Sequence, residues 1–397
     1  QTIEMPKTPM PVVIFGAGSI VTDAHLPAYR ELGIPVAGIF DPDSAKAQKV
    51  ASAADTQTFN TVKEAIGQNG VVFDLAVPPA AIVGVLEALP DGAIALIQKP
   101  LGSDLAEADR IISVLRRKKI KAAVNFQLRF APNSLALKDA VAQGLLGDIV
   151  DFDAWLALDT PWHLWEFLAN LPRVEILLHS IHYLDFVRDL LGNPKGIHAR
   201  TLGHPSSSMS NTRSAMMLDY SDQIRCNLSI NHNHAFGRKF QACEFRICGT
   251  KGAAYMKLGV NLDYPKGEPD ELWLNTDGEW RQVELVGDWF IAAFKGRFAQ
   301  LQRFACGLDP ELEGSAEDAW HTMALVEAAY ESSAQPMHPI KEAPTPRVVR
   351  SRKPISWFMP GTQVISFPIT LMPSFARHCL LVSGLPMAPW CSPSGLD

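Results

Sequence analysis

A glycine-rich turn between an apolar strand and a helix limits the fold of this chain more than any other feature. The stretch "PVVIFGAGSIVTDAHLPAYRELG" runs from Pro11 to Gly33. Gly16 permits the tight turn, and Gly18 lets a pyrophosphate approach the backbone and the helix N-terminus. Ser19 and Ile20 open that helix. Val21 takes the third position of the fingerprint, usually Gly or Ala, so helix–strand packing must adjust there. The next strand, in "IPVAGIFDPD", ends at Asp41. A carboxylate there can bond a ribose 2′-hydroxyl and repel a 2′-phosphate, which favours NAD over NADP.

The strand-and-helix alternation then repeats. "IPVAGIFDPDSAKAQKVA", "VVFDLAVPPAAIVGVLEAL", "AIALIQKPLGSDLAEADRIISVLRRKK" and "IKAAVNFQL" imply a parallel sheet with right-handed crossovers. Ser103 is the expected N-cap of the helix after Lys99, with Asp104 and Glu107 in its first turn. After about Ala131 the pattern changes. "DIVDFDAWLAL", "GIHARTLG", "TRSAMMLDYS", "QIRCNLSINHNH" and "CEFRICGTKGAAYMKLG" look like strands that pair in sequence, with helices at 134–144, 174–191 and 315–333. The expected fold is therefore an α/β Rossmann domain followed by an α+β domain on a largely antiparallel open sheet. The expected boundaries are 11–130 for dinucleotide binding and 131–340 for substrate binding and oligomerisation. A Pro-rich tail, 344–397, holds nine of the 29 prolines without sustained periodicity.

Composition excludes several roles. A net charge of −6 argues against a nucleic-acid or anionic-membrane surface. No apolar run approaches the roughly 20 residues that span a bilayer, and the opening "QTIEMPKTPMP" lacks an apolar signal core. Six scattered cysteines form no CxxC pair and read as thiols of a reducing compartment, so a cytoplasmic location is expected.

Two stretches carry candidate chemistry. "AIALIQKPLG" ends a buried strand on Lys99 and Pro100, at the strand end where α/β proteins bind ligands. "PRVEILLHSIHYLDFVRDLLG" places Glu175, His179, His182 and Phe186 at i, i+4, i+7 and i+11, on one helical face. Trp162 and Trp165, beside His163, offer flat aromatic faces that suit a sugar ring. Arg129 either anchors a substrate or braces the domain junction. Asn231, His232, Asn233 and His234 put polar groups on alternate strand faces.

Taken together, "GAGSIVTDAHLPAY", "FDPDSAKA", "VPP", "QKPLG", "NFQLRFAP", "HSIHYLDFVRDLLG", "CGTKG" and "EDAWHTMALVEAAYESS" resemble the glucose–fructose oxidoreductase/inositol dehydrogenase (Gfo/Idh/MocA) family over residues 11–335. That resemblance implies an NAD(P)-dependent oxidoreductase acting on a secondary alcohol of a sugar, polyol or sugar derivative. It implies cofactor contacts from Gly16, Gly18, Ser19, Ile20, Asp41, Val77, Pro78, Gln98, Lys99 and Gln127. "Gln98-Lys99-Pro100" is similar to the family's Glu-Lys-Pro motif with Gln for Glu. Lys99 would stabilise a developing alkoxide, and His182 matches the family's base or substrate ligand. His179, Arg129, Trp162, Trp165 and Glu175 are the expected substrate contacts. The family often has Asp where this chain has Leu178. It seldom uses a metal, and none is expected here. A homodimer or homotetramer is expected, because an open sheet face favours self-association. Rival readings are an NAD-dependent glycoside hydrolase of the same family and a non-catalytic NAD-binding regulator.

Overall fold

The computed structural model describes residues 3–263 and 266–341, except the side chains of residues 163 and 165–167; the Pro-rich tail, 344–397, lies outside the described residues. Five short strands form the first sheet: β1 (Val12–Phe15), β2 (Val36–Phe40), β3 (Val72–Leu75), β4 (Ile94–Ile97) and β5 (Lys121–Val124). They are parallel and run in the order β2-β1-β3-β4-β5. A single parallel bridge between Ile39 and Thr58 continues the sheet beyond β2. Helices α1 (Leu26–Leu32), α2 (Ser44–Ala53), α3 (Val62–Ile66), α4 (Pro79–Ala88) and α5 (Leu105–Arg117) connect them. Strand order reverses at β1, which puts a crevice at the carboxyl ends of β1 and β3. The strands are near-continuous apolar runs because helices cover both faces. Two charged residues interrupt them: Lys121, exposed at the start of β5, and Asp74 in β3, which is fully buried.

The N-cap of α5 is Asp104, not Ser103. Asp104 accepts from the Glu107 amide at 2.7 Å, the three-residue reach that a cap requires, while the Ser103 amide and hydroxyl donate to the Glu107 carboxylate at 2.8 and 2.6 Å.

The second sheet has eight strands, preceded by α6 (Pro132–Ala142). They are β6 (Ile149–Ala157), β7 (Gly196–Leu202), β8 (Arg213–Ser221), β9 (Ile224–Asn231), β10 (Ala242–Gly249), β11 (Ala253–Lys257), β12 (Glu271–Asn275) and β13 (Trp280–Gln282). Their order is β13-β12-β11-β10-β6-β9-β8-β7. Neighbours are antiparallel except β6 and β9, which run parallel at the centre. Pairing in sequence order therefore fails at β6, which is inserted between β9 and β10. Helix α7 (Ile181–Leu191) lies between β6 and β7 in the chain. Its Tyr183 and Phe186 pack on Phe152 and Phe245 of one sheet face. The opposite face alternates toward solvent and leaves Trp155 and Met217 exposed. Helices α8 (Ile291–Ala305) and α9 (Ala316–Ala334) follow. Helix α8 returns to the first sheet, where Phe298 stacks on Tyr29 at 4.3 Å.

Candidate functional site

The glycine turn is built for a close-approaching ligand. Gly16 has φ +106°, and a Cβ there would lie 2.2 Å from the Ala76 carbonyl oxygen, so only glycine fits. A Cβ on Gly18 would meet nothing within 4 Å, so space is open beside the backbone where the helix begins. This cradle fits a dinucleotide pyrophosphate. Ser19 and Ile20 start the helix, which widens into a π-turn over Val21–His25 before α1. The widening begins at the position that lacks a small residue. Asp41, one residue past β2, accepts from the Ala17 amide at 2.8 Å and from the Asp43 amide at 2.8 Å. Its carboxylate thus sits against the glycine turn. Val77 and Pro78 follow β3, Gln98 and Lys99 follow β4, and Gln127 follows β5, all at the carboxyl edge of the parallel sheet.

Lys99 reaches from that edge to the second half of the chain. Its Nζ donates to the Leu178 carbonyl at 2.8 Å, and desolvation lowers its pKa to about 8. The peptide bond from Lys99 to Pro100 is cis. Leu178 belongs to a second π-turn, Ile176–Ser180, which leads into α7. His179 lies in this turn with its ring centre 5.1 Å from Trp162 and 4.7 Å from His232. His182 is buried between Phe126 (6.2 Å) and Trp289 (6.0 Å). Burial pushes both imidazoles well below the ordinary histidine pKa. The neighbouring Lys99 adds to this at both, and His232 and His182 add to it at His179. Both rings are therefore neutral at pH 7. His182 Nδ1, Trp162 Nε1, Gln127 Oε1 and Trp289 Nε1 are buried without a hydrogen-bond partner among the described residues. Unpartnered polar atoms gathered in one place need a ligand or water.

Two expected substrate contacts are engaged elsewhere. Glu175 is fully buried, and its carboxylate accepts from the Ser180 and Ser214 hydroxyls. The shared helical face with His179 and His182 does not form. The π-turn inserts an extra residue per turn and rotates Glu175 away. Arg129 is also buried. Its guanidinium meets Asp185 at 2.6 Å through two nitrogens, Asp318 at 2.7 Å and Asp189 at 3.2 Å. It braces the junction between the Gln127–Phe130 turn and α7, the second of the two roles its sequence position offered. Trp162 joins the cluster. The Trp165 side chain lies outside the described residues. Among the described residues no three His, Cys, Asp or Glu side chains form a metal-binding group.

The structure singles out one residue of the polar run "INHNH" and adds others that sequence reasoning passed over. His232, at the end of β9, stands against His179 and Trp162, and its Nδ1 lies 2.7 Å from the Thr160 hydroxyl. Beneath the cofactor edge a buried chain runs Tyr29–Asp74–His25–Asn125–Gln98. Its steps are 2.8, 2.6, 3.4 and 2.9 Å. A carboxylate only accepts, so His25 Nδ1 donates to Asp74 and Nε2 accepts from the Asn125 amide. The lone acid in "VVFDLAV" was the available signal for this buried pair, because a charge inside an apolar strand needs a partner.

Residues 10–126 match the description "Oxidoreductase family, NAD-binding Rossmann fold", and residues 134–255 match "GFO/IDH/MocA C-terminal domain". A 1,5-anhydro-D-fructose reductase of Ensifer adhaerens is 23% identical over 272 residues, 67% of this chain and 80% of the relative. A D-apiose dehydrogenase of Rhizobium rhizogenes is 23% identical over 251 residues, 60% of this chain and 70% of the relative. Among solved structures, an oxidoreductase from Agrobacterium radiobacter in complex with NAD+, L-tartaric acid and magnesium superposes with a TM-score of 0.69 at 20% identity. That match covers 82% of this chain and 97% of the other. A UDP-N-acetylglucosamine 3-dehydrogenase from Acidithiobacillus ferrooxidans gives 0.65 at 18% identity, over 81% and 97%. With both halves of the fold matched in order, this chain belongs to the Gfo/Idh/MocA family of oxidoreductases.

Proposed function

We propose that the protein is an NAD-dependent dehydrogenase acting on a secondary alcohol of a sugar, polyol or sugar derivative. The observation that carries this reading is the meeting of Lys99 with the segment bearing His179 and His182, beside a glycine turn shaped for pyrophosphate. His182, neutral at pH 7, takes the hydroxyl proton. Lys99 spends one N–H on Leu178 and keeps two for the substrate, where the ammonium stabilises the negative charge developing on the reacting oxygen. NAD, when bound, supplies the hydride acceptor. Asp41 would bond the ribose 2′-hydroxyl and turn away a 2′-phosphate. The Trp162 face and the His179 ring flank the sugar. The two relatives, a 1,5-anhydro-D-fructose reductase and a D-apiose dehydrogenase, are both sugar-directed, which supports this substrate class. The open face of the second sheet, with Trp155 and Met217 exposed, is read as the seat of a second copy.

The test is a panel of sugars and polyols with NAD, followed by NADH absorbance. Lys99→Met should cut turnover by about 10²–10³-fold or more, the usual cost of losing an oxyanion donor. NAD affinity should change little. Near-normal turnover in that variant would remove the proposed role.

A further inference from the structure

Among the described residues Lys99 has no counter-charge. Its partner is a main-chain carbonyl, and among the described residues no carboxylate bridges to it. The residue before it, Gln98, and the residue it contacts, Leu178, are both uncharged. Glu175 is turned into the protein and spent on two serine hydroxyls, with His232 Nε2 beyond them at 3.6 Å. The ionisable neighbours of Lys99 are His179 and His182, with His232 behind them. The one cation that acts on both of those rings is Lys99 itself. Trp162 and Trp289 add buried indole N–H groups without acceptors. An indole N–H can only donate.

Lys99 is the one cation of this set, two indole N–H donors lie in it, and among the described residues no carboxylate faces the ammonium. An ammonium withdrawn from water without a counter-charge is costly. A polyol brings no charge to meet the ammonium. A carboxylate brings a full negative charge, about four acceptor sites and no proton to place. Lys99 has three N–H donors. One is on Leu178, which leaves one for the reacting oxygen and one for a neighbouring carboxylate.

We infer that the substrate is a polyhydroxy acid, an aldonate or uronate, whose carboxylate seats among Lys99, His179 and Trp162 as the missing counter-charge. This rests on the dehydrogenase reading for the fate of the alcohol, but not for the binding of the acid.

The test compares pairs that differ only in the acid group: D-gluconate with D-glucitol, and D-glucuronate with D-glucose. Each is titrated calorimetrically into the full chain with NAD present, and NADH is followed in parallel. The acids should bind roughly tenfold to hundredfold tighter than their neutral partners, the range of a charge-assisted hydrogen bond. Lys99→Met should abolish the difference. Gln98→Glu can still accept from Asn125 and adds a negative charge one residue from the lysine, so it should shrink the difference several-fold. Equal binding of acid and neutral partner, or binding of neither pair, overturns the inference. So does an acid preference that survives both substitutions. Turnover of D-glucitol without any acid preference leaves the dehydrogenase standing alone. Acid-selective binding with no NADH from any probe removes the dehydrogenase and leaves the carboxylate site.

Discussion

Two helices of this molecule begin in the same unusual way. One enters through the π-turn Val21–His25 and the other through the π-turn Ile176–Ser180. Each π-turn carries a histidine in its last two residues, and the two histidines have opposite surroundings. His25 is fully buried, with Asp74 on one nitrogen and Asn125 on the other. His179 has aromatic rings and the Lys99 ammonium for neighbours, and no hydrogen-bond partner among the described residues. The backbone device is shared, so it does not distinguish structure from function. The partner inventory does. A histidine with both nitrogens satisfied holds the fold together, and one left unsatisfied in a polar cluster is available to a ligand.

The comparison would break if the two regions responded alike to mutation. The largest effect should come from His182, next to the second turn. His182→Gln should lower turnover by about 10²–10⁴-fold with little change in melting temperature, since an amide cannot accept the proton. Steady-state kinetics beside a thermal melt check both halves, and a stability loss matching the activity loss would assign His182 to the core. His25→Leu should behave in the reverse way. It strands Asp74 and Asn125, so unfolding free energy should fall by about 2–4 kcal/mol. Turnover per folded molecule should stay close to that of the unmodified chain. Denaturant titration measures the first and active-site-normalised kinetics the second.

A pH profile sharpens the contrast with smaller amplitudes. The base must be neutral and the lysine protonated. Activity should therefore rise as pH climbs through the lowered histidine pKa, below neutrality, and fall as Lys99 loses its proton near about 8. A rise with its midpoint above neutrality would contradict the burial of these rings. The smallest effect should come from Asp41→Ser, which should shift the NAD-to-NADP preference by about tenfold by removing one acceptor and one charge. Paired Kd values for the two cofactors decide it.

Legibility followed the locality of the signal. The glycine turn, Asp41 and Lys99 lie on contiguous strand–turn–helix units, so spacing alone placed them at one edge of one sheet. The parallel sheet and the alternating faces of the second sheet were readable for the same reason. The face shared by Glu175, His179 and His182 was misread because a π-turn adds a residue that a 3.6 period cannot anticipate. Arg129 gave no local sign of its partners, since Asp185, Asp189 and Asp318 arrive from α7 and α9. His232 was visible only as one polar residue in "INHNH". Its neighbours Trp162 and His179 are remote in sequence and meet it only through sheet order.

The parallel pairing of β6 with β9 has a kinetic consequence. The strands β7, β8 and β9 form an antiparallel run, as do β10 through β13, so each group can assemble from contacts close in sequence. Strand β6 must wait for both, because its partners begin at Ile224 and Ala242. Closing so long a loop costs chain entropy before any contact compensates, which makes such pairings slow. The same event delivers His232 to the neighbourhood of His179, because one closes β9 and the other lies in the connection between β6 and β9. A newly made chain would thus complete its glycine cradle early and its imidazole cluster late. Pulse-labelled amide protection of β6 and the recovery of substrate binding should share one rate constant, slower than the recovery of cofactor binding.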